Sequence, residues 1–253
     1  MATFAPEVII QLGRFPITNT VLNTLLVDAV LIGTALYTHK HLRLIPKTFQ
    51  NIMEMIIETF WTFIEQIAGK NTPKIFPYVV SFFLFIVIAN WTGLIPGFSS
   101  FGFFTYENGH RQLIPILRSA TSDLNVTLAL TFISVLATHM LSLQRLGFRE
   151  YISRYLSLNP VNLYVGLLEF IGELTKIVSL SFRLFGNIFA GEVVLMTVSS
   201  IFSFLFPIPF MMLEVIVGFV QALVFSLLTM VFMSILMTPH HAEEHATKEV
   251  INV

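Results

Sequence analysis

The feature that most constrains this chain is a set of long apolar runs with very few charges inside them. Between residues 210 and 237, for example, the only charged residue is Glu214. A helix crosses a bilayer with ~20 mostly apolar residues, and several runs are that long. Only 11% of the chain is charged, whereas soluble domains contain ~25% charged residues. We therefore predict an all-α integral membrane protein.

The apolar runs predict one membrane domain with about five membrane-embedded helices. Three shorter spans are expected at 21–37, 76–95 and 124–143. Two long tilted helices, 160–206 and 210–237, are expected to form a hairpin. An N-terminal segment, 1–20, precedes the spans, and a polar tail, 238–253, follows them. As one helix, 160–206 would be ~70 Å long. Because the hydrocarbon core is only ~30 Å thick, this arm must be tilted, bent or split.

The segment 46–69 has a different pattern. Glu54, Glu58 and Glu65 share one face at helical spacing, and apolar residues fill the other face. This pattern is typical of an amphipathic helix in the membrane interface, and we expect it to pack without taking part in chemistry. The first apolar run starts past residue 20 without a signal cleavage pattern, so we expect it to be retained as a helix.

Basic residues follow the first and third spans and predict the orientation. Arg43 and Lys47 lie after the first span, and Arg145 and Arg149 lie after the third. Basic loops favour the cytoplasmic side. Two spans separate the two loops, so both can lie on that side.

Charged residues within the hairpin are the main functional candidates, because a charge at the centre of a membrane helix costs ~2.5–3.5 kcal/mol. Projected at 100° per residue, the first arm has one polar and small-residue stripe, which we call the seam. The seam consists of Glu169, Gly172, Lys176, Ser179, Arg183, Gly186 and Ala190, with Asn187 at its border. Small residues let another helix approach closely. An arginine keeps its proton in proteins, so Arg183 can attract a carboxylate but cannot relay a proton.

The other acidic residues lie on both sides of Arg183. Glu169 and Glu173 precede it by ~21 and ~15 Å of helix, and Glu192 follows by ~13 Å. Glu192 is on the face opposite Arg183, toward the second arm. This predicts two proton-accessible vestibules with a fixed positive barrier between them. In the alternative interpretation, Glu173 and Lys176 only neutralise each other as a structural pair.

The prolines at 207 and 209 are interpreted as the reversal of the hairpin. Folding the chain there makes the second arm antiparallel to the first. Gln221 is then expected near the depth of Glu192, with Glu214 closer to the turn. Glu214 and Gln221 are seven apart, so they share a face.

Other polar residues favour simpler interpretations. Asp28 lies near an end of its span and is expected to be solvated, and His139 has no second histidine in a span with which to hold a haem. His240, His241 and His245 resemble a metal-binding tract but fit a solvated tail. The chain has no cysteine, which excludes disulfides and cysteine-ligated clusters. We expect no metal and no cofactor.

Three stretches resemble the signature of subunit a of F-type ATP synthases. They are SLSFRLFGNIFAGE at 179–192, TSDLNVTLAL at 121–130 and NWTGLIPG at 90–97. Gln221, seven residues after Glu214, also matches, and the resemblance runs from about residue 20 to 237.

The resemblance implies roles for individual residues. Arg183 matches the essential arginine of proton translocation, which faces the carboxylates of a rotating c-ring. The outer half-channel and the neighbours of the arginine would be formed by Asn187, Gln221, Glu192, Glu214, Asp123 and Asn125. The cytoplasmic half-channel would be formed by Glu169, Lys176 and Ser179 and, more loosely, by Glu173.

The same resemblance implies the partners, which are the c-ring, the peripheral-stalk b subunits, the lipid bilayer and the translocated H⁺. The chain has no GxxxxGK[ST] phosphate loop, so we expect no nucleotide here and nucleotide chemistry on other subunits. A net charge of -1 argues against nucleic acid. We expect a bacterial plasma membrane, with the mitochondrial inner membrane as the alternative. The rival functions are a stand-alone secondary transporter or ion channel, and a membrane scaffold without chemistry.

Overall fold

The computed structural model describes residues 7–12, 15–95, 102–107, 110–116, 118–155, 160–201 and 207–238. The longer helices in these ranges are α1 (Asn19–Lys40), α2 (Thr48–Ala68), α3 (Thr72–Leu94), α4 (Leu124–Leu146), α6 (Pro160–Ile201) and α7 (Pro207–Leu236), with a short α5 (Phe148–Tyr155). Single turns of 3₁₀ helix lie at η1 (Gly69–Asn71) and η2 (Ala120–Ser122). The polar tail beyond Thr238, with its histidines, lies outside the described residues.

Helices α3 and α7 form the centre of the bundle, and the other helices pack around them. One apolar cluster joins α3, α6 and α7 through Phe82, Leu184 and Phe225. A second joins α2, α3, α4 and α7, with Ile64 and Met230 fully buried. The core is therefore built by apolar residues on helices that are also apolar on their outer faces, as expected for a protein in lipid.

The all-α membrane class is confirmed. Five helical stretches in the described ranges are long and apolar enough to cross a membrane: 19–40, 48–94, 124–146, 163–201 and 207–236. In the second stretch, α2 and α3 are joined by η1 and pack together, with the Phe60 and Phe83 rings 4.6 Å apart. Glu58 and Glu65 are exposed on α2, away from the buried Ile64.

Helix α6 is continuous over 42 residues, which makes it about 63 Å long at 1.5 Å per residue. It is thus not split at Arg183. Of the earlier alternatives, tilting or gentle bending lets such a helix cover a ~30 Å core.

The expectation that Pro207 and Pro209 form the turn of the hairpin is wrong. Pro207 is the first residue of α7, and Pro209 lies in its first turn. Proline suits these positions, because the first N–H groups of a helix have no partner within the helix and the fixed φ is already helical. Both prolines are therefore part of α7.

Two short hairpins were not expected from the sequence. Strand β1 (Val8–Leu12) pairs antiparallel with β2 (Phe15–Thr18), and β3 (Gly102–Glu107) pairs antiparallel with β4 (His110–Pro115). Strands β1 and β3 contain aromatic and β-branched residues such as Ile9, Phe103 and Tyr106, which favour strands when a partner lies alongside.

Candidate functional site

Arg183 lies on the outer face of α6. Leu180 and Leu184 of the same helix are buried against the bundle, whereas Arg183 and Ser179 are exposed. The guanidinium Nη2 donates one long hydrogen bond to Ser179 Oγ, at 3.4 Å. Among the described residues it forms no salt bridge within 4.0 Å. No carboxylate of the part of the chain that the structure describes therefore pairs with this arginine.

An open groove of about 440 Å³ runs along α6 beside this arginine. Part of its lining comes from the seam, namely Gly172, Lys176, Ser179 and Arg183. Thr175 of α6 and Leu228 and Phe232 of α7 also line it. The structure therefore brings the middle of the predicted seam into one surface depression. Glu169 is not among the groove residues and lies partly exposed nearer the start of α6.

A hydrogen bond joins the two long helices one turn beyond Arg183. Asn187 Nδ2 donates to Gln221 Oε1 at 2.7 Å, and Gln221 is buried. We had expected Gln221 at the depth of Glu192. That expectation is wrong, because Gln221 lies at the depth of Asn187, about five residues earlier in α6. The shift arises because the second long helix begins at Pro207 and not after Pro209.

Glu214 lies inside the protein, opposite the end of the arginine motif. It is 5% exposed, and its carboxylate packs against Gly191, where a Cβ would overlap with the Glu214 oxygens. Glycine at 191 is therefore required for the close approach of α6 to this carboxylate. The second oxygen, Oε2, is buried and has no hydrogen-bond partner among the described residues. An unsatisfied buried carboxylate oxygen is costly, which is typical of a group that binds a proton or water.

Glu192 is held by a cation that the sequence analysis did not assign. Arg118 donates from Nη2 and Nε to Glu192 Oε2, at 3.0 and 3.2 Å. Both side chains are mostly buried, with 13% and 17% exposed. Glu214 packs against Gly191, the residue that precedes Glu192, so the two carboxyl groups lie in the same part of the bundle. The sequence offered one signal for this pair, because Arg118 lies five residues before Asp123 and just ahead of the motif at 121–130.

Asp123 is buried and has its hydrogen bonds satisfied. It caps α4 by accepting from the Asn125 backbone N–H at 2.9 Å, and it accepts from Thr20 Oγ1 of α1 at the same distance. Asn125 itself is exposed. These two residues do not play equivalent parts in the structure, because only Asn125 presents its side chain to the outside.

A polar cluster surrounds Asp123 inside the bundle. Thr121 donates to Asn90 Oδ1 at 2.6 Å, and Asn90 in turn donates to the Gly218 carbonyl of α7 at 2.9 Å. The Oδ1 atoms of Asn19 and Asn23 are buried without a partner among the described residues. The interior at this end of the bundle, between α1, α3, η2 and α7, is therefore hydrophilic. The apolar pattern of these helices did not predict it.

On the other side of Arg183, Glu173 and Lys176 form an ion pair. Lys176 Nζ lies 2.7 Å from Glu173 Oε1 and 4.3 Å from the centre of the Phe232 ring. The structural pairing that we considered for these two residues is therefore present. Glu173 also approaches His139 of α4, with 3.8 Å between Oε2 and Nε2.

The family described as ATP synthase A chain matches residues 20–234. The chain is 32% identical to ATP synthase subunit a of Moorella thermoacetica over 234 residues, covering 92% of this chain and 97% of that protein. It is 31% identical to the Legionella pneumophila protein of the same name, with 88% of each covered. The Geobacter sulfurreducens protein is 33% identical, with 83% of each covered.

The chain belongs to the ATP synthase subunit a family. Its apolar helices agree with a membrane subunit of that complex. The resemblance stated from the three motifs is confirmed, and the subunit a match covers the arginine motif, the Asp123 segment and both long helices.

Proposed function

We propose that this chain is the stationary proton-conducting subunit of the Fo sector, with two offset half-channels and with Arg183 facing the carboxylates of a rotating c-ring. The observation that carries this proposal is the position of Arg183. It is exposed on α6, its hydrogen-bond partner among the described residues is Ser179, and buried or partly buried ionisable groups lie at separate depths on either side of it.

The two groups of ionisable residues are well separated along α6. Glu192, with Arg118 and Glu214 beside it, follows Arg183 by nine residues, or ~13 Å. Lys176 precedes it by seven residues, or ~10 Å. A guanidinium midway repels a proton that would pass directly between them. The arrangement supports two half-channels better than a single continuous pore.

The mechanism follows from the cost of charge in lipid. A proton enters through the polar end of the bundle, past Asn125 and Asp123, and reaches the Glu192–Glu214 pair. From there it neutralises a carboxylate on the ring. A neutral carboxyl can travel through lipid, whereas a charged one is strongly disfavoured. After rotation the carboxyl meets the groove lined by Lys176 and Ser179, which with Glu169 forms the cytoplasmic half-channel, and releases its proton there.

The outer face of α6 suits a helical partner. Gly186 and Ala190 continue the seam beyond Arg183 and are not fully covered by the rest of the chain. Small residues allow close backbone approach, and an unneutralised arginine in the same face favours a partner with a carboxylate at membrane depth. A c-ring has both properties, whereas a stand-alone transporter would leave this face in lipid.

The remaining assignments accompany this role. The peripheral-stalk b subunits would hold the chain still, and nucleotide sites would lie on other subunits. The relatives with the same name come from bacteria, which favours the bacterial plasma membrane over the mitochondrial inner membrane.

Cysteine cross-linking tests the proposal directly, because the chain contains no cysteine. We expect Gly186→Cys to form a disulfide with a cysteine placed next to the ring carboxylate of the c subunit in the assembled complex. The matched control is Leu174→Cys, which is exposed but lies half a turn around α6 from Arg183. Equal adducts from both positions, or none from Gly186→Cys in an assembled complex, would contradict the proposal.

The Arg118–Glu192 pair leads to a separate prediction. Arg118→Gln is expected to lower ATP-driven proton pumping about tenfold, because hydrogen bonds to charged groups contribute ~1.5–3 kcal/mol. The double variant with Glu192→Gln should be no slower than the slower single variant, since both remove the same interaction. Arg145→Gln, at the end of α4, serves as the control. Effects that multiply in the double variant would show that the two residues act independently.

A further inference from the structure

A chain of ionisable side chains crosses three helices on the side of Arg183 that carries Lys176. Tyr151 Oη of α5 lies 3.0 Å from His139 Nδ1 of α4. The other ring nitrogen, Nε2, lies 3.8 Å from Glu173 Oε2 of α6. The second oxygen of Glu173, Oε1, accepts a hydrogen bond from Lys176 Nζ at 2.7 Å. These contacts connect the groove beside Arg183 with α5.

The position of α5 makes this chain a path rather than an isolated cluster. Lys176 lines the open groove, whereas α5 carries Arg149 and Glu150 and follows directly after the end of α4. The backbone of Tyr155 lies against Gly166, so α5 is seated on the first part of α6. The side chains of His139, Glu173 and Lys176 are 22%, 13% and 25% exposed. These side chains are largely buried, but each keeps some exposed surface.

Three ionisable side chains that the structure describes face His139. Glu173 and Lys176 face it from α6, and Tyr151 faces it from α5. Helix α7 contributes the Phe232 ring, which covers Lys176, and its one ionisable residue is Glu214, near the opposite end of the helix. The Glu173–Lys176 ion pair is already neutral, so His139 is not required to balance its charge. Imidazole is the side chain that gains and loses protons near neutral pH and can do so through two nitrogens.

We propose that Glu173, His139 and Tyr151 form a proton relay that empties the cytoplasmic half-channel, so that the outlet runs through the bundle to α5 and not only along the groove. The inference rests on the function proposed above. Glu173 takes up a proton from the groove and passes it to His139 Nε2. The imidazolium then gives its Nδ1 proton to the Tyr151 oxygen while the phenol proton leaves to water, which restores Glu173 and Tyr151. The neutral imidazole then carries its proton on Nε2, and loss of that proton to water with uptake of one from water at Nδ1 restores the first tautomer.

The relay can be tested with two conservative variants in the assembled complex. His139→Gln is expected to slow ATP-driven pumping and passive conduction by about tenfold, because a positioned proton-transfer group contributes at least that much. The dependence of the remaining rate on pH between about 6 and 8 should flatten, since the imidazole that titrates there is gone. Tyr151→Phe, which removes one oxygen, should also slow conduction. His41→Gln, at the end of α1, is the control histidine.

Two results would overturn the relay. One is a wild-type rate and pH profile for both variants in normally assembled complexes. The other is a lower rate with an unchanged pH profile, which would indicate that the cluster only holds α5 in place. If His139→Gln prevents assembly, Tyr151→Phe decides by the same criteria. Arg183→Ala is measured in parallel: if it is inactive while the relay variants are normal, only the relay fails, whereas normal pumping by Arg183→Ala overturns the proposed function itself.

Discussion

Arg183→Ala is expected to abolish ATP-driven proton pumping while the complex still assembles. The guanidinium makes one hydrogen bond of 3.4 Å to Ser179 and lies on an exposed face, so its removal breaks little of the fold. Its proposed work is electrostatic, and removal of a group that stabilises charge at a functional centre typically costs ~10²–10³ in rate. Pumping is measured in inverted vesicles by quenching of a pH-sensitive dye.

Two further variants separate charge from shape at this position. Arg183→Lys keeps the positive charge but loses the planar guanidinium, and it is expected to retain only a small part of the activity. Ser179→Ala removes the hydrogen-bond partner of Arg183 but no charge, and should stay within a few fold of the unaltered complex. Normal pumping by Arg183→Ala, with the complex present at its usual level, would remove the basis of the rotary interpretation.

Glu214→Gln should have the second largest effect. The Glu214 carboxylate is buried against Gly191 and has one oxygen without a partner among the described residues. An amide fills nearly the same volume but cannot bind and release a proton. Because positioned proton-transfer groups contribute ~10²–10⁴ in rate, we expect pumping to fall about 100-fold with little change in the amount of complex.

The control for Glu214→Gln is Glu65→Gln on α2, which changes the same chemical group at an exposed position. It should pump normally. If Glu214→Gln pumps as fast as the control variant, Glu214 is a packing residue, and the entry path must reach the ring through Glu192 alone.

Much of the architecture could be predicted because it depends on local patterns. The apolar runs alone indicate the membrane class, and α4 and α7 coincide with two of these runs. The 3–4 spacing of small and polar residues placed Ser179 and Arg183 on one face of α6, and the structure places both in one groove. The face on which a residue lies depends only on its spacing along the helix, so it can be predicted without knowledge of the tertiary fold.

The other features depend on contacts between distant segments. Arg118 and Glu192 are 74 residues apart, and nothing in their spacing indicates that they meet. His139 was considered only as a haem ligand, because its neighbours Tyr151 and Glu173 come from other helices. The depth of Gln221 was misjudged because a proline can end one helix or begin the next, and the sequence alone favours neither.

The uncovered arginine on α6 also has a consequence for how the protein is made. A permanent cation within a membrane span costs ~2.5–3.5 kcal/mol until a counter-charge arrives, and among the described residues no carboxylate of this chain forms a salt bridge with Arg183. A newly inserted copy is therefore least stable while it is alone in the bilayer. Under the proposed function that counter-charge is the ring carboxylate, so the chain would become most stable only after it meets the ring, and the supply of rings would limit the number of mature proton paths.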